Sequence, residues 1–175
     1  PTNNPDIEQV LAQGCWTSLQ RFESPGSESE AKTELPAIQA ERPSPWRVML
    51  NRNDGSEFDI LLPLEEENKS AAVGKGTWSL SGRHNVSNAL AAVIAARHVG
   101  VDIQSACDAL SEFSSVKRRM ELRGEVDHVY VYDDFAHHPT AIETTLAGMR
   151  AKLSDRPGSR LVAVIEPRSA TMKMG

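Results

Sequence analysis

Four short runs of this chain gather side chains able to hold anions, present paired amides or ligate a metal. The first is Gly82-Arg83-His84-Asn85-Val86-Ser87-Asn88. Asn85 and Asn88 stand three residues apart, so on a helix both amides lie on one face of the first turn. An amide there pairs with adenine through one donor and one acceptor; a plain structural use, in which Asn85 caps the helix, needs the same residue. The second run, Lys117-Arg118-Arg119 with Glu121, carries fixed positive charge. Its planar guanidinium forks suit phosphate, or form an exposed patch paired with Glu112 or Glu121. The third, Asp133-Asp134-Phe135-Ala136-His137-His138-Pro139-Thr140, is the densest cluster of titratable groups. Two carboxylates and two imidazoles suit a metal, ribose hydroxyls or a helix cap. Neighbours on an extended strand point to opposite faces, so Asp133 and Asp134 are expected to do different work. In the fourth, Glu166-Pro167-Arg168-Ser169-Ala170-Thr171-Met172-Lys173, the cations Arg168 and Lys173 suit a carboxylate or phosphate, with Ser169 and Thr171 as added donors. A polar loop without a ligand is the alternative.

Each run falls between two elements that would position it. Residues 46–51, 57–63 and 71–80 read as strands, with Asn53-Asp54-Gly55 as a hairpin turn between the first two. Residues 85–99 read as an Ala-rich helix, apolar on nearly every face and so expected to be largely buried. Gly100 stands where a helix-ending glycine belongs. Residues 102–113 predict a second helix with Ile103, Ala106, Leu110 and Phe113 on one stripe, and 114–117 a hinge. Beyond it, 126–132 alternates as a strand, 140–153 is a helix opened by Pro139-Thr140, and 160–166 is a nearly continuous apolar run of the buried parallel kind. Strand, helix and strand make a βαβ unit with a right-handed crossover, and hence an α/β fold. Ligands of such sheets gather where strands end and helices begin. Residues 23–45 and 65–69 read as exposed polar loops, and Gly74-Lys75-Gly76-Thr77, though composed like a phosphate-binding loop, lies inside a strand pattern.

Composition excludes several classes. The 175 residues are 39% hydrophobic and 25% charged with net charge -5, which argues against a surface that coats nucleic acid. Charge is uneven: residues 1–76 carry 13 acidic and 7 basic side chains, residues 77–175 carry 11 and 12. No run approaches the roughly 18 apolar residues of a membrane span, and no secretory signal opens the chain. Two cysteines, Cys15 and Cys107, make neither a disulfide framework nor a metal cluster, as expected of a reducing, cytoplasmic setting. The chain opens on Pro1 and stops at Gly175 inside a run that reads as functional, so a piece of a longer enzyme is expected.

Taken in order, G-R-H-N-V-S-N, R-R-M-E-L-R-G, Y-D-D-F-A-H-H-P-T-A-I and E-P-R-S-A-T-M-K-M-G closely resemble the Mur ligases. The resemblance runs through essentially the whole chain, including Gly14-Cys15-Trp16 and Trp78-Ser79-Leu80, and is thinnest over 23–45. It implies that residues 1–114 are the later part of a central ATP-binding domain and 115–175 the first half of a Rossmann-like C-terminal domain. It implies an ATP-dependent ligase that activates a muramic acid carboxylate as an acyl phosphate, which an amine then attacks. Mg²⁺ and cationic side chains would stabilise the transferring phosphoryl group. The fourth run points to the branch joining L-Ala-γ-D-Glu-meso-diaminopimelate to UDP-N-acetylmuramate in peptidoglycan recycling; the branch that adds L-alanine is the runner-up.

By the same resemblance Asn85 and Asn88 hold adenine, next to His84. Arg119 reaches ATP, and Asp134 lies near ribose and phosphates; these two are the catalytic assignments. His137, His138, Arg168, Ser169, Thr171 and Lys173 line the peptide cleft, where Ala170 stands in place of an expected Asn. The family's G-x-x-x-x-G-K-[ST] loop, its UDP-binding domain and its metal ligands do not occur in this sequence, so the Mg²⁺ ligands are expected in other portions of the same enzyme. No nucleic-acid or membrane partner is implied. Two readings from other classes are a metal-dependent phosphoesterase built on Asp133, Asp134, His137 and His138, with Asp127 and His128 nearby, and a non-catalytic nucleotide-binding module. Lacking the loop that grips the β- and γ-phosphates, residues 1–175 alone are expected to release no ADP from MgATP in a coupled assay; measurable release overturns that expectation.

Overall fold

The computed structural model describes residues 1, 4–26, 45–64 and 70–166. Three strands, β1 (Arg47–Leu50), β2 (Glu57–Pro63) and β3 (Ser70–Thr77), form an antiparallel sheet in the order β1-β2-β3. Alternation along β2 turns Phe58 and Ile60 to one face, and both are fully buried. Two helices cover that sheet: α2 (Arg83–His98) and α3 (Ile103–Ser111). The side chains of α2 at 86, 89, 90, 93 and 94 recur at helical spacing and supply the rest of the core. Asp102 caps α3 by accepting from the Ser105 N–H at 3.0 Å, and Cys107 is buried beneath it. Burial pushes that thiol up to about 11, so it is an inert core residue. Gly76 on β3 lies under the Phe58 ring, where a Cβ would come within 2.5 Å of a ring carbon. The glycines of 74–77 therefore serve sheet packing.

Before this body stands a short helix, α1 (Pro5–Leu11), capped by Asn4, which sequence patterning did not mark. After it come a hairpin of β4 (Glu121–Val126) and β5 (Val129–Asp133), and helix α4 (Pro139–Lys152). None of the described helices is long and apolar enough to cross a membrane.

Four expectations need correction. The segment expected as one strand over 126–132 is the heart of a hairpin. Asp127 and His128 both adopt positive φ, 48° and 63°, the paired left-handed geometry of a two-residue turn. Asp-His is not the Asn-Gly or Asp-Gly that advertises such a turn, so β4 went unmarked. Second, β3 stops at Thr77: the Trp78 indole N–H donates to the Gly55 carbonyl at 2.9 Å and its ring meets Phe58 edge-on, which takes 78–80 out of the ladder. Third, α2 is buried on one face only, and Phe113 lies past the end of α3, half exposed. Fourth, residues 160–166 form no strand, and Val164 is 94% exposed. A buried parallel strand needs a ladder neighbour and cover on both faces. Among the described residues β5 pairs only with β4, antiparallel, and the βαβ unit is not closed. Most of loop 23–45, at 27–44, and all of loop 65–69 lie outside the described residues.

Candidate functional site

Three segments converge at the start of α2. The helix begins at Gly82, whose φ of 100° and ψ of 136° suit glycine alone. Its N–H donates to the Asp54 carbonyl at 2.7 Å, so the β1–β2 turn fixes where α2 starts. A Cβ on Gly82 would fall 2.7 Å from the His84 ring, which folds back over it. From the other side Gly148 of α4 approaches so closely that a Cβ there would sit 3.0 Å from the Gly82 Cα. No side chain caps α2 and no acidic side chain stands in its first turn, so no carboxylate of the helix itself offsets the positive end of its dipole. Asn85 donates its amide to the Ser81 carbonyl at 2.8 Å, which aims the side chain, while Asn88 is exposed and makes no side-chain hydrogen bond among the described residues.

The second segment is the turn before β4. Arg118 and Met120 adopt φ of 60° and 49°, and Arg119 sits between them. Left-handed backbone costs an L-residue roughly 1–2 kcal/mol, and the third segment, 133–136, helps offset it. Asp134 accepts from the Met120 N–H at 2.9 Å through one oxygen and from the Ala136 N–H at 2.7 Å through the other. The Phe135 N–H donates to the Arg118 carbonyl at 2.7 Å. Asp133 ion-pairs with the Arg118 Nε at 3.3 Å, and that guanidinium lies 5.1 Å over the Phe135 ring. Arg119 itself is exposed and makes no ion pair among the described residues.

His84, Arg119 and Asp134 form one electrostatic group. Burial holds the His84 imidazole below its usual value; the Asp134 carboxylate pulls it up and the Arg119 guanidinium pushes it down. Thus the structure brings together His84, Asn85, Arg119 and Asp134, with Asn88 one turn along the same helix. His137 and His138 stand apart from that group. His137 approaches its own loop at Phe135 O, 3.1 Å from Nδ1, and His138 is the exposed N-cap of α4 without a side-chain cap bond. Arg168, Ser169, Thr171 and Lys173 lie outside the described residues. Among the described residues no group of three or more His, Cys, Asp or Glu side chains is disposed to hold a metal ion.

Sequence reasoning overlooked the supports. Asp54 looked like an ordinary turn residue, yet it is 7% exposed. Burial raises its carboxyl, but the Ser56 hydroxyl and N–H, at 2.7 and 3.0 Å, together with Arg52, hold it below the usual range. Arg52 also reaches Asp155 beyond α4, at 2.8 Å. Gly148 gave no signal at all, because a close approach between distant segments leaves no local pattern.

Residues 118–173 match the family model described as Mur ligase, glutamate ligase domain. Over its full length the chain is 42% identical to the UDP-N-acetylmuramate–L-alanyl-γ-D-glutamyl-meso-2,6-diaminoheptandioate ligase of Escherichia coli, covering 33% of that protein. It is 46% identical over 171 residues to the UDP-N-acetylmuramate–L-alanine ligase of Trichormus variabilis, 93% of this chain and 33% of that one. The solved structure of a murein peptide ligase from Psychrobacter arcticus superposes with a TM-score of 0.57 at 44% identity, over all of this chain and 32% of that one. The chain therefore spans about a third of the length of the relatives it matches.

The electrostatic group makes a measurable prediction. In an NMR titration His84 is expected to lose its proton below the ordinary imidazole value of 6.5, and to be neutral at pH 7. Asp134→Asn lowers that titration further; Arg119→Ala raises it. Since the folded state takes up this proton less readily than the unfolded chain, the associated stability is present above about pH 6.5 and is lost as pH falls below it. An unshifted His84 overturns the assignment.

Proposed function

From the premise that the chain belongs to the Mur ligase family of ATP-dependent amide-forming ligases, we propose that it is part of a cytoplasmic ligase of peptidoglycan recycling. That enzyme joins L-alanyl-γ-D-glutamyl-meso-diaminopimelate to UDP-N-acetylmuramate. The observation that carries this reading is likeness to the tripeptide-joining relative from end to end, through all four runs that bear the chemistry. Residues 1–114 then belong to the central ATP-binding domain and 115–175 to the C-terminal domain, and the rest of the same enzyme supplies the phosphate-binding loop, the UDP site and the Mg²⁺ ligands.

The residues present fit an adenine nucleotide. The start of α2 carries no acidic side chain, and among the described residues the Asn88 amide makes no hydrogen bond and the Arg119 guanidinium no ion pair. When bound, ATP supplies the phosphoryl group that makes a carboxylate reactive toward an amine. Asn85 and Asn88 would hold the base. Arg119, which makes no ion pair among the described residues, would neutralise phosphate charge as it develops. Asp134 acts chiefly by shaping the turn that carries Arg119. His84, uncharged at neutral pH, offers a hydrogen bond without adding charge. His137, His138 and the run from Arg168 to Lys173, with Ser169 and Thr171, would face the peptide.

The phosphoesterase reading is weaker on this geometry, since Asp133 and Asp134 are already engaged by Arg118 and by backbone amides. In the full-length enzyme, tripeptide is expected to support ADP release with UDP-N-acetylmuramate and L-alanine is not; the reverse preference would make it the alanine-adding ligase. Arg119→Ala is expected to lower kcat/KM for ATP by about 10²-fold, and wild-type kinetics would remove Arg119 from the site.

A further inference from the structure

The turn that carries Arg119 is tied at several main-chain groups. Of its main-chain groups, the Arg118 carbonyl, the Arg119 carbonyl and the Met120 N–H are bound by Phe135, Ser115 and Asp134. The remaining anchor is Glu121. Its Oε2 accepts from the Arg118 N–H at 2.9 Å, and its Oε1 accepts from Arg123 at 2.8 Å. The Arg118 N–H holds this carboxyl below the usual carboxylate range, followed by smaller help from Arg123. In the hairpin Glu121 stands directly opposite Asp133. The two carboxylates thus grip Arg118 from opposite strands, one by its backbone and the other by its guanidinium. A glutamate in a run of arginines reads as an ion-pair partner for them. Here it pairs with Arg123, and Arg119 makes no ion pair among the described residues.

We infer that Glu121 is a positioning residue for Arg119: it holds Arg118 in the left-handed conformation that sets the direction of the Arg119 side chain beside it. Without that acceptor, Arg118 relaxes toward the right-handed region and the direction of the next side chain turns with it. Asp134 fixes the Met120 side of the turn and Glu121 fixes the Arg118 side, so both are required. The consequence for catalysis rests on the nucleotide reading above; the consequence for His84 does not.

The test uses the full-length enzyme with Glu121→Ala, Glu121→Gln, Arg119→Ala and the double variant Glu121→Ala/Arg119→Ala. Glu121→Ala is expected to raise the ATP KM about tenfold, the loss of one charge-assisted hydrogen bond, with the peptide KM unchanged. Glu121→Gln recovers most of this, because its amide oxygen still accepts from Arg118. In the Arg119→Ala background Glu121→Ala adds nothing. The His84 titration rises in Glu121→Ala toward its position in Arg119→Ala. Additive losses in the double variant, equal rises in both KM values, or an unmoved His84 overturn the inference. If His84 moves while Arg119→Ala and Glu121→Ala both keep the wild-type ATP KM, the positioning stands and the nucleotide reading falls. Should Glu121→Ala fail to fold, Glu121→Asp, with its charge kept and its reach shortened, carries the same comparisons.

Discussion

Two glycines in contact set the arrangement of this chain. Gly82 starts α2 and Gly148 lies in the third turn of α4, and the space between them would not accept a methyl group without a shift. Because their backbones touch, the α4 axis passes close to the start of α2, and the loop leading into α4 is carried to the same place. The β1–β2 turn fixes the opposite side: the Asp54 carbonyl holds the Gly82 N–H, and the Gly55 carbonyl holds Trp78 just before it. The Asn85 N–H turns back to the Gly82 carbonyl at 3.0 Å, and among the described residues the Arg83 and His84 N–H groups make no such backbone bond. Those donors are what an anionic or polar ligand needs.

Electrostatics completes what packing begins. The cleft contains acidic side chains, yet each is committed elsewhere: Asp133 to Arg118, Asp134 to two amides, Glu121 to a third amide and to Arg123. Arg119 makes no ion pair among the described residues. Carboxylates that face backbone N–H groups hold the turn without competing for that guanidinium. The net charge of -5 therefore says little about the sign of this cleft. His84 registers the local balance, drawn up by Asp134 and down by Arg119 with burial acting in the same direction as the cation.

Much of this was legible in the sequence, and the failures have physical causes. Strands β1 and β2, the Asp54-Gly55 turn and the presence of α2, α3 and α4 follow local rules of alternation, periodicity and turn chemistry, which the residues carry in themselves. The convergence of 82–88, 117–121 and 133–136 was anticipated only as a set of motifs at element ends. What could not be read was how they are joined. Gly148 has no local signature, Asp54 is buried because another segment lies over it, and left-handed Arg118 and Met120 are held by bonds to Glu121, Phe135 and Asp134 that no local pattern announces. The apolar run 160–166 fails for the opposite reason: its composition describes an environment of neighbours on both faces that the described residues do not provide.

That same dependence on partners governs what the cleft can transmit. His84, Asn85 and Asn88 ride on α2, which is rooted in the three-stranded sheet; Arg119 and Asp134 ride on the hairpin and the loop into α4. The two groups are joined by a segment without regular structure near 113–116, by the glycine contact, and by the Arg52–Asp155 ion pair at the surface. An exposed ion pair contributes about 0–1 kcal/mol, and a backbone contact between two glycines buries no side chain. The junction is therefore weak beside the core between the three-stranded sheet and its two helices. A ligand that touches the Asn85–Asn88 face and Arg119 together adds contacts across it that neither body supplies, so its binding free energy includes the work of holding the two bodies in register. Distortion of the junction reaches ligand affinity through Arg119, while the core beneath α2 keeps its packing.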